Sequence, residues 1–262
     1  FAGLSAILEG AASLLESGAT HPTLELLFTT GEEHFCVGAK AFDAQRLQSK
    51  TAYVMDLSGP VGDCAVAAPT LITFSAEVVG KAAHAGFAPE DGVHAIQVAA
   101  AAVANLPSGR WGDVTVNVGT ISGGRATNIV PDSCTVTGEI RALCHQDALD
   151  RLNEIHSEFV EQAQAVDAKL NFNHTIHITG YRVDTDAPVA QRFKRACEAV
   201  GVTPRFTDTY GGSDCNILSA HGIQGLVVAT AMNNCHAVNE YTTVEELCKA
   251  GRLAQALMEK QE

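Results

Sequence analysis

Between Leu71 and Ile178 the residues spell strand, helix, strand, strand, helix, strand, and no other stretch narrows the possible folds as far. Leu71 to Val79 alternates with the period of two that a half-buried strand requires. Asp91 to Ala104 spaces Val93, Ile96, Ala99, Ala100 and Val103 along one helical face, and Gln146 to Asp167 does the same with Leu149, Leu152, Ile155, Phe159, Ala163 and Val166. Val114 to Ile121, Cys134 to Leu143 and Leu170 to Ile178 read as strands, the middle one alternating Val136, Gly138, Ile140. That order predicts a four-stranded antiparallel sheet with two helices on one face, a ferredoxin-like arrangement.

The flanking sequence has another rhythm. Phe1 to Ser17 carries Leu4, Ile7, Leu8, Ala11, Leu14 and Leu15 at helical spacing, with Gly18 as a stop. Thr23 to Thr30 reads as a strand, His34 to Phe42 as a short helix, and Thr51 to Asp56 as a strand. Ser58 to Pro69, rich in Gly, Pro and Ala, reads as a hinge. From Asp186 a helix through Phe193 to Val200, a strand at Arg205 to Thr209, a short helix after Gly212, a strand at Gly225 to Ala231 and a helix from Val244 resume the alternation, the last helix with Thr243 and Glu246 as a capping box. The expected fold is α/β: a domain built on a mainly parallel sheet, in two parts at 1–68 and 183–262, with the ferredoxin-like domain inserted at 69–182.

A formal net charge of -13 argues against nucleic acid or an anionic membrane as partner, since either needs a basic face. Small molecules or metal ions fit better. No apolar run reaches the roughly eighteen residues a membrane helix needs. The first helix lacks the basic start of a signal peptide. Eight cysteines are scattered without a C-x-x-C pair, which reads as the reduced thiols of a cytoplasmic enzyme.

Thr29-Thr30-Gly31-Glu32-Glu33 follows the apolar run Leu24 to Phe28. Neighbouring side chains diverge on a strand, so two glutamates at a strand exit can divide the work, one on a metal and one free to move protons. Adjacent glutamates are also commonly just solvated. Glu33, Asp56 and His236 each follow a predicted strand of the same sheet, and ligands collect at the carboxyl ends of such strands. Their oxygen and nitrogen donors suit zinc, cobalt or manganese. Singly, Asp56 reads as a turn cap and His236 as a loop histidine; convergence of all three raises the metal reading to even weight.

Several ordered motifs then carry a resemblance: Gly31-Glu32-Glu33 with Gly38-Ala39-Lys40; Gly80-Lys81-Ala82-Ala83-His84-Ala85-Gly86 with Pro89-Glu90-Asp91-Gly92; Gly123-Gly124-Arg125-Ala126-Thr127-Asn128-Ile129-Val130-Pro131-Asp132; Gly138-Glu139-Ile140-Arg141; Gly211-Gly212-Ser213-Asp214; and His236. Over nearly the whole chain they resemble the di-zinc exopeptidase family of peptidase T, aminoacylases and bacterial dipeptidases, most closely its peptidase T-like branch. The resemblance implies hydrolysis of small peptides at a two-zinc centre, with cobalt or manganese as alternatives. It implies that Glu32 is the general base and acid, that Glu33 and His236 hold one ion, and that Asp56 holds the other. It implies that the inserted domain is a lid through which two chains pair, with His84 supporting the oxyanion across the interface. Asn128 and Arg141 resemble groups that hold the substrate carboxylate, although an arginine on a surface strand is the plainer reading of Arg141. Gly211 and Gly212 would let backbone approach a ligand beside Ser213, or simply form a tight turn with Ser213 as helix cap.

The family's centre also needs a His-x-Asp pair and a bridging Asp, and the resemblance finds neither. In relatives the bridging Asp stands just before a segment resembling Phe1-Ala2-Gly3-Leu4, and the chain opens on a non-Met residue within a helix, which reads as a truncated or processed start. Phe35 stands where peptidase T-like relatives usually have Gly. Zinc held by about four ligands is worth on the order of 10–16 kcal/mol, so roughly 3 or 4 per ligand. Without the bridging carboxylate the chain by itself is expected to be inactive or weak. Two other readings stand beside a tripeptidase-like enzyme: a non-catalytic relative that pairs through its lid, and an amidohydrolase acting on N-acyl amino acids.

Overall fold

A computed structural model describes residues 1–260 and resolves the chain into two units, Phe1–Ala68 with Tyr181–Glu262, and Pro69–Gly180. The elements of the first segment are α1 (Ala2–Ser17), α2 (Val37–Ala41), β1 (Thr51–Ser58) and β2 (Asp63–Ala68). The second unit holds β3 (Thr70–Val79), α3 (Ala95–Asn105), β4 (Gly109–Trp111), β5 (Val114–Gly123), β6 (Ser133–Ala142), α4 (His145–Gln164) and β7 (Lys169–Ile178). The chain then returns to the first unit with β8 (Tyr181–Arg182), α5 (Pro188–Ala199), β9 (Arg205–Asp208), α6 (Asp214–Ala220), β10 (Gln224–Met232) and α7 (Val244–Met258).

In the larger unit the sheet runs β1-β10-β2-β8, with β9 also on β2. β1 pairs parallel to β10 from Thr51 opposite Gln224 to Val54 opposite Val227, and β9 pairs parallel to β2; β10 with β2 and β2 with β8 are antiparallel. Phe193, Val189, Leu226, Val227 and Leu253 fill the core with the small side chains of β2. The parallel pairing of β1 and β10 matters for chemistry, because the residues that follow both strands leave the sheet at one rim.

The smaller unit is the antiparallel sheet β4-β5-β6-β3-β7. β3 and β6 stay in continuous register from Thr70 opposite Ala142 to Val79 opposite Ser133. Phe74, Val78, Val136 and Ile140 meet Val98, Ala99, Leu152, Ile155 and Phe159 of α3 and α4 in a second core.

Four expectations change. Ser58 to Pro69 is no hinge: Asp63–Ala68 is a strand, buried from Cys64 to Ala68, whose small residues on both faces hide the usual alternation. Thr23 to Thr30 joins no ladder among the described residues, and Leu26 and Phe28 stay about half exposed. His34 to Phe42 is not one helix, because Phe35 and Cys36 take left-handed backbone between a 3-10 turn at Glu32–His34 and α2. The smaller sheet gains a short fifth strand, β4, carrying the exposed Trp111, whose indole N–H donates to Ser108 O at 3.3 Å.

Candidate active site

Glu32 and Glu33 stand on the 3-10 turn, inside a loop that enters left-handed backbone at Gly31 (φ 69°), Phe35 (φ 58°) and Cys36 (φ 58°). Such conformations cost roughly 1–2 kcal/mol for a residue with a Cβ. Backbone bonds hold the bend: Cys36 N donates to Glu32 O at 2.8 Å, Val37 N to Gly31 O at 3.2 Å and Gly38 N to Thr30 O at 3.0 Å. At Gly38 a Cβ would collide with the backbone of Thr30, so the approach requires glycine.

The bend sends the two glutamates to different partners. Glu33 reaches into solvent, its Oε1 3.4 Å from His236 Nδ1. Glu32 turns inward and is half-buried, its Oε1 3.9 Å from Cys36 Sγ. His236 rides on a loop closed by mutual backbone bonds between Asn233 and Tyr241 at 3.0 and 3.1 Å. Asn234 and His236 are again left-handed (φ 54° and 65°), a concentration of unusual backbone of the kind functional loops hold. Asp56 does not follow β1 as expected but lies within it, in the stretch between Val54 and Leu57 where the pairing with β10 shifts register, and Asp214 opens α6.

Electrostatics tie these groups together. Burial, then negative charge on Asp56, Glu33 and Asp214, pushes Glu32 up to about 7, with His236 pulling the other way. Asp56 reaches solvent, yet the protein around it, then Asp214 and Glu33, hold its carboxyl above the ordinary range. Carboxylates that raise one another share one rim.

Ser213 is 3 % exposed, and its hydroxyl accepts from Cys215 N at 3.2 Å while its amide donates to Asn216 Oδ1 at 3.1 Å. Its side chain is therefore committed to capping α6. Gly211 N donates to Thr209 Oγ1 at 3.1 Å, and Gly212 follows in the turn that leads into the cap.

In the smaller unit, His84 bridges to Ile129, and Ala85 N donates to Asn128 O at 3.0 Å, so His84 and Asn128 sit on adjoining loops. The His84 ring stacks on Phe87 at 4.1 Å, and Nδ1 accepts from Gly86 N at 3.1 Å. An accepting Nδ1 leaves the proton of a neutral ring on Nε2, pointing away as a donor. Arg141 lies elsewhere, bidentate on Glu139 at 2.9 and 3.3 Å. It pairs with Leu71, at the far end of the ladder from Ser133 and the His84 loop. Eight residues of strand put about 26 Å between those ends.

The comparisons with known proteins follow this geometry. Residues 66–167 match the M20 family's peptidase dimerisation domain. The chain is 33 % identical over 260 residues to YqjE of Bacillus subtilis strain 168, covering 99 % of this chain and 70 % of that one. The crystal structure of the aminopeptidase PepT from Bacillus cereus ATCC 10987 superposes with a TM-score of 0.94 at 37 % identity, covering 98 % of this chain and 69 % of that one. The chain belongs to the M20 peptidases, on their peptidase T-like branch. A tripeptidase structure from Staphylococcus aureus gives a TM-score of 0.95 at 28 % identity, over 98 % of this M20 chain and 69 % of its own. The M20 chain spans about 64 % of the length of peptidase T sequences it matches, such as that of Alkaliphilus oremlandii.

The donor chemistry of this M20 rim suits a divalent cation in part. Glu33 and His236 form a two-donor half-site, and the crowded carboxylates are what a bound cation would relieve. Among the described residues, no three His, Cys, Asp or Glu side chains converge into a coordination set. The sequence does spell His-x-Asp once, at His145-Gln146-Asp147, but these open α4 in the smaller unit, with His145 Nδ1 on Thr70 Oγ1 at 3.1 Å. Two neighbours of Glu32 escaped the sequence reading, Cys36 and Asp214. Asp214 was hidden because it follows a glycine turn and a capping serine that explain the motif without it.

Proposed function

We propose that this M20 chain carries the general base and part of the metal-binding set of an enzyme that hydrolyses peptide bonds in small peptides. The observation that supports this most is the Glu33–His236 pair at 3.4 Å, with Glu32 beside it on the same turn and directed away. Glu33 and His236 would hold one divalent ion and Asp56 the other; zinc fits these donors, as do cobalt and manganese. When bound, the metal supplies Lewis-acid polarisation. Glu32 takes the proton of the attacking water and returns it to the leaving amine.

Arg141 offers a planar fork for the substrate carboxylate once it releases Glu139. Asn128 adds an amide, and His84 offers its Nε2–H to the oxyanion. A tripeptide is about 10 Å long, so it cannot reach both ends of a ladder about 26 Å apart. His84 and Asn128 are therefore read as serving one chain's site and Arg141 another's, in a homodimer formed through the smaller unit. Gly212, without a side chain, would let a ligand approach the backbone at the start of α6. The free cysteines suit the reducing cytoplasm.

Metal loading followed by assay on a tripeptide panel beside N-acyl amino acids tests the reading. Release of an N-terminal residue, weak from these residues alone because the donor set is partial, supports it. Cleavage of acyl substrates only would replace it with an amidohydrolase, and no bound metal at all with a non-catalytic dimerising relative.

A further inference from the structure

We propose that Asp214 is the positioning residue for Glu32, tying the entry of the 29–36 loop to the start of α6 through the Thr29 hydroxyl, with the Cys36 thiol held under Glu32 at the other end. The proposal rests on the reading of Glu32 as the proton carrier. Thr29 Oγ1 donates to Asp214 Oδ2. At the other end, Cys36 is 2 % exposed, and its thiol donates to Glu32 Oε1 at 3.9 Å while the negative charge of Asp214 lies close enough to act on it. Asp214 Oδ1 is buried and has no hydrogen-bond partner among the described residues. Thr29 and Cys36 thus bracket the glutamates, the first bonded to Asp214 and the second to Glu32 itself.

The anchor is rigid where it needs to be. Asp214 lies inside the buried Ser213–Asn216 capping box, with Asn216 1 % exposed, so its backbone cannot drift with the loop. The thiol is suited to its place. Burial, and the charges of Asp214 and Glu32, push it up to about 12, so it stays protonated as a donor for Glu32. Two consecutive left-handed residues, Phe35 and Cys36, would relax toward ordinary backbone if this tether were absent. Relaxation would carry Glu32 with it, and a proton carrier must lie within about 3.2 Å of its partner.

Cys36 itself supplies the readout. In metal-free protein, alkylation resolved by peptide mass compares Cys36 with Cys64, 0 % exposed in the core of the same unit, which reacts only when the whole unit opens. Asp214→Asn and Thr29→Val are each expected to speed labelling of Cys36 about tenfold relative to Cys64. Equal acceleration at both cysteines, or at neither, overturns the tether. In metal-loaded protein acting on a tripeptide, Asp214→Asn is expected to lower kcat about 100-fold with KM within about twofold. Cys36→Ser, which keeps a donor, should retain most of the kcat that Cys36→Ala loses. An active protein whose Asp214→Asn form keeps the wild-type kcat overturns the positioning role and leaves the peptidase reading intact. A protein that hydrolyses no peptide while the selective labelling persists overturns the reading of Glu32, and the positioning role with it, leaving only the tether.

Discussion

At the scale of single residues, the rim is a set of like charges. Asp56 and Glu32 both have carboxyls held above their ordinary range by burial and by each other's neighbours. A carboxyl raised in the folded state costs stability once folded and unfolded chains are both ionised. Asp56→Asn is therefore expected to raise the melting temperature near neutral pH in the presence of a chelator, and to remove part of the stabilisation that added zinc gives the wild type. An equal zinc-induced rise in melting temperature for the wild type and Asp56→Asn, in paired thermal melts, would show that Asp56 does not contribute to metal binding. The sequence singled out Glu33, Asp56 and His236 as residues following strands, yet only His236 follows one: Glu33 leaves a stretch that joins no ladder among the described residues, and Asp56 lies inside β1. The roles of Cys36 and Asp214 were not legible, since a buried thiol reads as core and an aspartate after Ser213 reads as part of a cap. Only the left-handed bend, which no spacing rule reports, brings the thiol under Glu32.

Secondary-structure elements were readable where one face is buried and the other is wet. α4, β3, β5, β6 and β7 fall within a few residues of the expected spans. β2 was not, because Cys64, Ala65, Val66, Ala67 and Ala68 are covered on both faces and small side chains give little apolar signal. Leu24 to Phe28 misled in the opposite direction: an apolar run needs a neighbouring strand to become one. Its Glu25 instead accepts from the amides of Gln48 and Ser49, at 3.1 and 2.8 Å. Among the helices, α6 has the most specific start, with both halves of its capping box formed. Ser213→Ala is expected to cost about 1–2 kcal/mol in urea unfolding, and because the first residue of α6 is Asp214, to loosen the glutamate loop as well. A loss below about 0.3 kcal/mol would mean that the box contributes little to the start of α6.

Each unit has its own apolar core, and among the described residues neither core includes one from the other unit. Residues 69–180 alone are therefore expected to fold, with cooperative thermal unfolding followed by circular dichroism, and to sediment as a dimer at micromolar concentration. A fragment that folds but stays monomeric would remove the two-chain assignment of His84 and Arg141. The insertion itself was legible because the β-α-β-β-α-β order differs so plainly from its surroundings.

The chain holds a single tryptophan, and it stands on β4 at the edge of the smaller sheet. Intrinsic indole emission is thus a private channel for that unit, silent on the glutamate rim. Spectroscopists who follow tryptophan emission alone will watch the smaller unit melt, while the four tyrosines, all in the larger unit, report on the part that would do the chemistry.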